Sequence, residues 1–175
     1  EGLLQRIEQQ KAVASKLRES VSRGELDIQL TVYNSTKRKS LEVFEALIHW
    51  KESHPCRLGE EHFQLLNHEP AVINDIARWL VNIADSQELL SNSHLDQAIW
   101  VDLSSTPLRS AEDVFSLIPV RDTEAHQHLI ILQVPPAFIQ HATSESMTGT
   151  LSAFIETLQK NRCALAINLS ELSLH

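Results

Sequence analysis

From residue 97 onward the chain alternates two kinds of segment, and that alternation limits its fold more than any other feature. "QAIWVDLS", "HLIILQV" and "CALAINL" are short and mostly apolar, the pattern of strands buried on both faces. Between them lie "SAEDVFSLI" and "TSESMTGTLSAFIETLQKNR", which carry helical spacing. The first has Ser110 as N-cap with Asp113 three residues on to close a capping box, and the second is predicted to be helical from about Glu145 to Lys160. Strands that alternate with helices are the mark of βα units around a parallel sheet. The chain is therefore expected to be one α/β domain.

The first half opens that sheet differently. After Gly24, two strand-like runs, Leu26 to Tyr33 and Leu41 to Trp50, flank the polar turn "NSTKRKS" and should pair as an antiparallel hairpin. The stretch "GEEHFQLLNHEPAVINDIARWLVNIADSQELL" predicts a short helix from about Glu60, a break at Pro70 and a long helix to about Leu90. Ahead of all this, "LLQRIEQQKAVASKLRESVSRGE" predicts a helix from about Leu3 to Ser22, stopped by Gly24. Ile7, Ala14 and Val21 recur every seven residues, with Leu3 and Leu17 as the other seam positions and polar Gln10 between them. Two readings stand: an amphipathic helix lying on its own domain, or a connector (residues 1–23) from an upstream module to a domain at 24–175.

Charge and cysteine usage narrow the function classes. A net charge of -8 argues against direct binding to nucleic acid, whose phosphates call for clustered positive charge. Cys56 and Cys163 stand in unrelated contexts, which fits free thiols in a reducing cytoplasm. No apolar stretch approaches the ~20 residues of a membrane helix, so this fragment is expected to be cytoplasmic and outside the membrane, whatever anchors its parent in the inner membrane. The histidines, His126 and His128 among them, lack ligand spacing and are expected at the surface, and Ser104-Ser105 has no nucleophile elbow. Trp50, Trp79 and Trp100 are expected in the core or at its rim.

Within the strand-like "VFEALIHW", Glu45 is a charged group that needs a reason: it is either a metal ligand or a solvated residue at a strand end. The surrounding residues carry a resemblance. From Gly24 onward, "GELDIQLTVYNSTKRKSLEVFEALIHW" resembles the opening of EAL domains, the cyclic di-GMP phosphodiesterases named for that tripeptide. Further landmarks fall in order: Phe63 and Trp79, "VDLS" where the family has VNLS, "LQVPP" where it has LEITE, and "ALAINLS" where it has ALDDFG. The resemblance implies a variant TIM-like βα barrel with an antiparallel first strand. Such barrels take ~250 residues, so only about the first two thirds of one is expected here.

The same resemblance implies what has been lost. The family hydrolyses a phosphodiester with water activated between two divalent cations, which require several oxygen ligands, mostly carboxylates. Glu45 keeps the glutamate of the tripeptide and Asp102 stands for a ligating asparagine. Gln133 replaces a glutamate, and Ile167 and Asn168 fall at the paired aspartates, so no catalytic residue set is expected and no cofactor beyond residual magnesium or manganese. Thr31 falls on a ligand-binding glutamine, Leu47 keeps the leucine of the tripeptide, and His49 replaces a phosphate-binding arginine, a group whose permanent charge and fork an imidazole lacks. Cyclic di-GMP is thus expected to bind weakly or not at all.

The resemblance is to degenerate EAL domains of the CsrD and MshH regulatory type, in which a GGDEF-like module lies upstream. It implies a regulator that acts through a protein partner, self-association included, in cyclic di-GMP or small-RNA-turnover signalling. The alternatives are a non-hydrolysing cyclic di-GMP receptor and, last, an active phosphodiesterase.

Overall fold

The computed structural model describes residues 2–34, 41–51, 56–57, 66, 69–87, 96–108, 110–119, 128–136, 138 and 148–168. Helix α1 (Gly2–Arg23) leads into strands β1 (Leu26–Asn34), β2 (Leu41–Trp50) and the two-residue β3 (Cys56–Arg57). Then follow α2 (Pro70–Asp85), β4 (Asp96–Asp102), α3 (Ala111–Phe115), β5 (Leu129–Val134), α4 (Thr148–Lys160) and β6 (Cys163–Ile167). The α/β expectation holds. The sheet runs β1-β2-β4-β5-β6, with β3 beside the end of β2.

Its pairing is mixed as the hairpin required. β1 and β2 are antiparallel, in register from Leu26 opposite Trp50 to Asn34 opposite Glu42. β2, β4, β5 and β6 are parallel neighbours.

Helices cover one face of this sheet. On β2 that face carries Ala46, Ile48 and Trp50, on β4 Ile99 and Val101, on β5 Ile130, Leu132 and Val134, all buried. α2 lays Val72, Ile73, Ile76, Ala77, Leu80, Val81 and Ala84 against the core, a single stripe at helical spacing. Pro70 at its first turn costs no hydrogen bond there. α2 stops at Asp85, short of the Leu90 expected, where the Ser86 hydroxyl donates to the Ile83 carbonyl at 2.9 Å and competes with the next turn. α3 has the expected capping box, Asp113 N–H to Ser110 Oγ at 3.2 Å and Ser110 N–H to Asp113 Oδ2 at 3.0 Å. Phe154 of α4 packs edge-on to Phe115 with ring centroids 4.8 Å apart. The short helix expected from Glu60, the residue Glu145, His126 and the turn after Asn34 lie outside the described residues.

Helix α1 joins this core through its second half. Ala14, Leu17 and Ser20 are buried, and Val13 and Val21 pack against the core, while Ile7 is 38% exposed. Ser20 explains the fit: its hydroxyl accepts the Trp50 indole N–H at 2.9 Å and donates to Glu25 Oε2 at 2.8 Å. The seven-residue seam is therefore shared, its C-terminal positions against the core and Ile7 outside it. Gly24, at φ 69°, takes the left-handed conformation that turns the chain from α1 into β1.

Two expectations are corrected. His128 is buried at 6% exposure, directly before β5, because the residue that enters a covered strand is drawn in with it. Trp100 is not on the core side: Trp50 and Trp79 pack there, but Trp100 faces the other way. Cys163 is a free, buried thiol as expected. Among the described residues no helix is long and apolar enough to cross a membrane.

Candidate functional site on the open face around Glu45

Residues directly opposite one another on neighbouring strands project to the same side of a sheet, so strand register sorts every candidate by face. Glu45 on β2 stands opposite Thr31 on β1 and Trp100 on β4, and Trp100 stands opposite Ile131 on β5. This row lies on the face away from the helices. Two residues further along, the next row on that face holds Gln29 opposite Leu47, and Asp102 opposite Gln133, itself opposite Ala166. Beyond it, His49 stands opposite Asp27.

The structure thus brings Thr31, Glu45, Leu47, His49, Asp102 and Gln133 onto one face. Ile167 is elsewhere: it pairs with Val134 and packs against the core beneath the helices. The position opposite Gln133 on the Glu45 side is Ala166, and Asn168 follows the last residue of β6, partly buried. Ala166 was legible from period-two alternation once Gln133 was placed, because "ALAINL" sets Ala164 and Ala166 on one side and Leu165 and Ile167 on the other.

Glu45 is not at a strand end. It is the fifth residue of ten in β2, because antiparallel pairing with β1 carries β2 on to Trp50 after its parallel pairing with β4 has finished at Ala46. Glu45 is half-buried as a residue, and the Tyr33 hydroxyl donates to its Oε2 at 2.8 Å at the exposed edge of the side chain. Tyr33 reaches it diagonally, since its direct partner is Val43. Around the pair opens a groove of about 520 Å³. Its walls are Leu41, Val43, Trp100 and Ile131, and its polar groups are Tyr33, Glu45 and Gln133. Tyr33 and Trp100 were not among the expected site residues.

Asp102, by contrast, is exposed and its Oδ1 accepts the Ser104 N–H at 2.9 Å, which holds the turn that follows β4. A residue in that role is an Asx cap on a loop. Among the described residues no group of three or more His, Cys, Asp or Glu is placed to hold a metal ion. The acidic groups of this face are spread along it rather than converged.

At the far end of the face the Lys51 ammonium lies 2.9 Å from Asp27 Oδ2. Hydrogen bonding from Lys51 holds the Asp27 carboxyl below its usual 3.8, with burial opposing and the Ile28 N–H, the Lys51 charge and His49 assisting. A folded-state value below the unfolded one stabilises the fold above pH 3.8 and loses that contribution as pH falls through the folded value. The pair is about half exposed, so Asp27→Asn should lower stability at neutral pH by only about 0.2–1 kcal/mol. Urea unfolding of variant and wild type should converge near pH 2, and a difference that instead widens on acidification would contradict this assignment.

No family model and no curated protein matches the chain. Among the solved structures that share its fold are two FimX EAL domains. A FimX EAL domain superposes with a TM-score of 0.57 at 17% identity over 93% of this chain and 64% of that one. The Xanthomonas citri FimX EAL domain, solved in complex with c-diGMP, superposes with a TM-score of 0.52 at 12% identity over 93% of this chain and 62% of that one. The chain therefore has an EAL-like fold, a TIM-like barrel arrangement with an antiparallel first strand, and spans less than two thirds of the length of these neighbours.

Proposed function

We propose that this chain is a catalytically inactive EAL-type signalling domain that regulates through protein contacts. The observation that carries the reading is the row beside Glu45: Leu47, Asp102, Gln133 and Ala166 on adjacent strands. One carboxylate in that row is committed to a turn, the next position is a neutral amide and the last a methyl group. Two cations about 3.5–4 Å apart need several anionic oxygens between them, and Glu45 with Asp102 supplies too few.

The substrate side supports the same reading. Thr31 and His49 both lie on the Glu45 face, yet neither offers the bidentate, permanently charged fork that grips a phosphate. The remaining finer points are part of the proposal: a cytoplasmic place for this domain, an upstream GGDEF-like module joined through α1, and kinship with the CsrD and MshH type. The chemistry of α1 fits a connector, since its second half is anchored by Ser20 and Trp50 while Ile7 stays exposed.

A second reading is favoured by one observation, the c-diGMP complex of the Xanthomonas citri neighbour: this chain would be a receptor without turnover. Calorimetry with cyclic di-GMP decides between the two. The interaction reading predicts no saturable binding up to high micromolar concentration. A dissociation constant of about 1 μM or tighter, equivalent to about 8 kcal/mol, would replace it with the receptor.

A further inference from the structure

We propose that Ser20 is a register lock: its buried hydroxyl holds α1 in one orientation against the core and ties that orientation to the end of the sheet where Asp27 and His49 stand. This rests on the reading of α1 as a connector and names the contact through which it acts. Ser20 is 2% exposed and Trp50 is 7% exposed. A hydroxyl has one proton to give, and Ser20 gives it to Glu25 Oε2 at 2.8 Å while its oxygen accepts the Trp50 indole N–H at 2.9 Å. A buried indole N–H needs an acceptor, so this contact fixes which residue of α1 stands beside Trp50. Setting register is the best-attested use of a buried polar group.

The apolar contacts of α1 do not choose so narrowly. Ala14 and Leu17 are buried and Val13 and Val21 pack on the core, but hydrocarbon contacts have no direction and tolerate a slide or a turn of the helix. A hydrogen bond does not. A turn of one residue brings Glu19 or Val21 to the indole: valine accepts nothing, and Glu19, exposed and paired with Arg23, would have to bury its charge. A slide of one helical turn brings Lys16 or Leu17, and neither side chain can accept. Glu25, which receives the Ser20 proton, carries the orientation onward. Its N–H donates to the Ser20 carbonyl at 2.9 Å, and its carbonyl accepts the Lys51 N–H at 2.9 Å. The Lys51 ammonium in turn holds Asp27, the partner of His49 across the hairpin. A rotation of α1 therefore breaks the lock and, through Glu25, displaces Lys51, Asp27 and His49.

Residual dipolar couplings measured by NMR on the full chain read the orientation of α1 against the strands. In the wild type one alignment should fit the second half of α1 together with β1, β2, β4 and β5. Ser20→Ala, which removes the hydroxyl and favours the helix, and Trp50→Phe, which removes the donor, should each shrink the α1 couplings by averaging while the strands keep theirs. The double variant should show no more averaging than either alone, because both changes break one contact. Ser20→Ala should also shift the amides of Asp27, His49 and Lys51. Val21→Ala, which weakens an apolar contact and spares the lock, should lower stability with α1 still in one orientation. A single α1 orientation in both Ser20→Ala and Trp50→Phe, further averaging in the double variant, averaging in Val21→Ala as large as in theirs, or Asp27, His49 and Lys51 amides unmoved by Ser20→Ala would overturn the proposal. No nucleotide or partner enters this measurement, so its failure leaves the protein-contact reading to stand or fall by the calorimetry above.

Discussion

Trp50→Ala should lower the unfolding free energy of the domain by about 3–5 kcal/mol, a large share of what a domain this size possesses. Trp50 is 7% exposed on the helix-covered face of β2, so truncation leaves a cavity the size of an indole between the sheet and α1. Its N–H is also the donor to Ser20 Oγ, and Ser20 is only 2% exposed. Loss of that donor leaves a buried hydroxyl oxygen short of a partner, which adds about 1 kcal/mol within the same range. Trp50→Phe should fill most of the space and cost about half as much. Urea unfolding followed by circular dichroism separates the variants. An alanine variant within about 1 kcal/mol of wild type would mean that α1 is not held to the sheet through this contact, and with it would go the account of α1 as half core, half connector.

The parts of the fold legible in the sequence are those set by short-range pattern. The short apolar runs "HLIILQV" and "CALAINL", set between helical segments, placed the parallel strands, the flanking runs around "NSTKRKS" placed the hairpin, and Ser110 with Asp113 placed the start of α3. The parts that were not legible depend on which strand lies beside which. Glu45 reads as a strand-end residue if β2 is judged against β4 alone, and only the longer pairing with β1 puts it mid-strand. Trp100 resembles Trp50 and Trp79 in composition, yet its register partner Glu45 sets it on the open face. Tyr33 reaches the carboxylate by a diagonal contact that no linear motif contains. Ile167 and Ala166 differ by one position, and in a strand one position is the difference between the two faces of the sheet.

On the proposed reading, the Glu45 face does not support two-metal chemistry. Its expected consequence is larger than any stability effect, because enzymes of ordinary competence exceed the uncatalysed rate by a factor on the order of 10⁶ or more. Gln133 contributes no negative charge, Ala166 opposite it contributes no oxygen, Asp102 is held by the Ser104 N–H, and Glu45 accepts from Tyr33. A lone Glu45 can attract a cation without fixing a second one at the distance the reaction needs. The direct measurement is incubation of the full chain with cyclic di-GMP and magnesium or manganese, with chromatography of the nucleotides over time. The linear dinucleotide should accumulate no faster than in the protein-free control. Linear product formed at a rate that Glu45→Ala abolishes would contradict it.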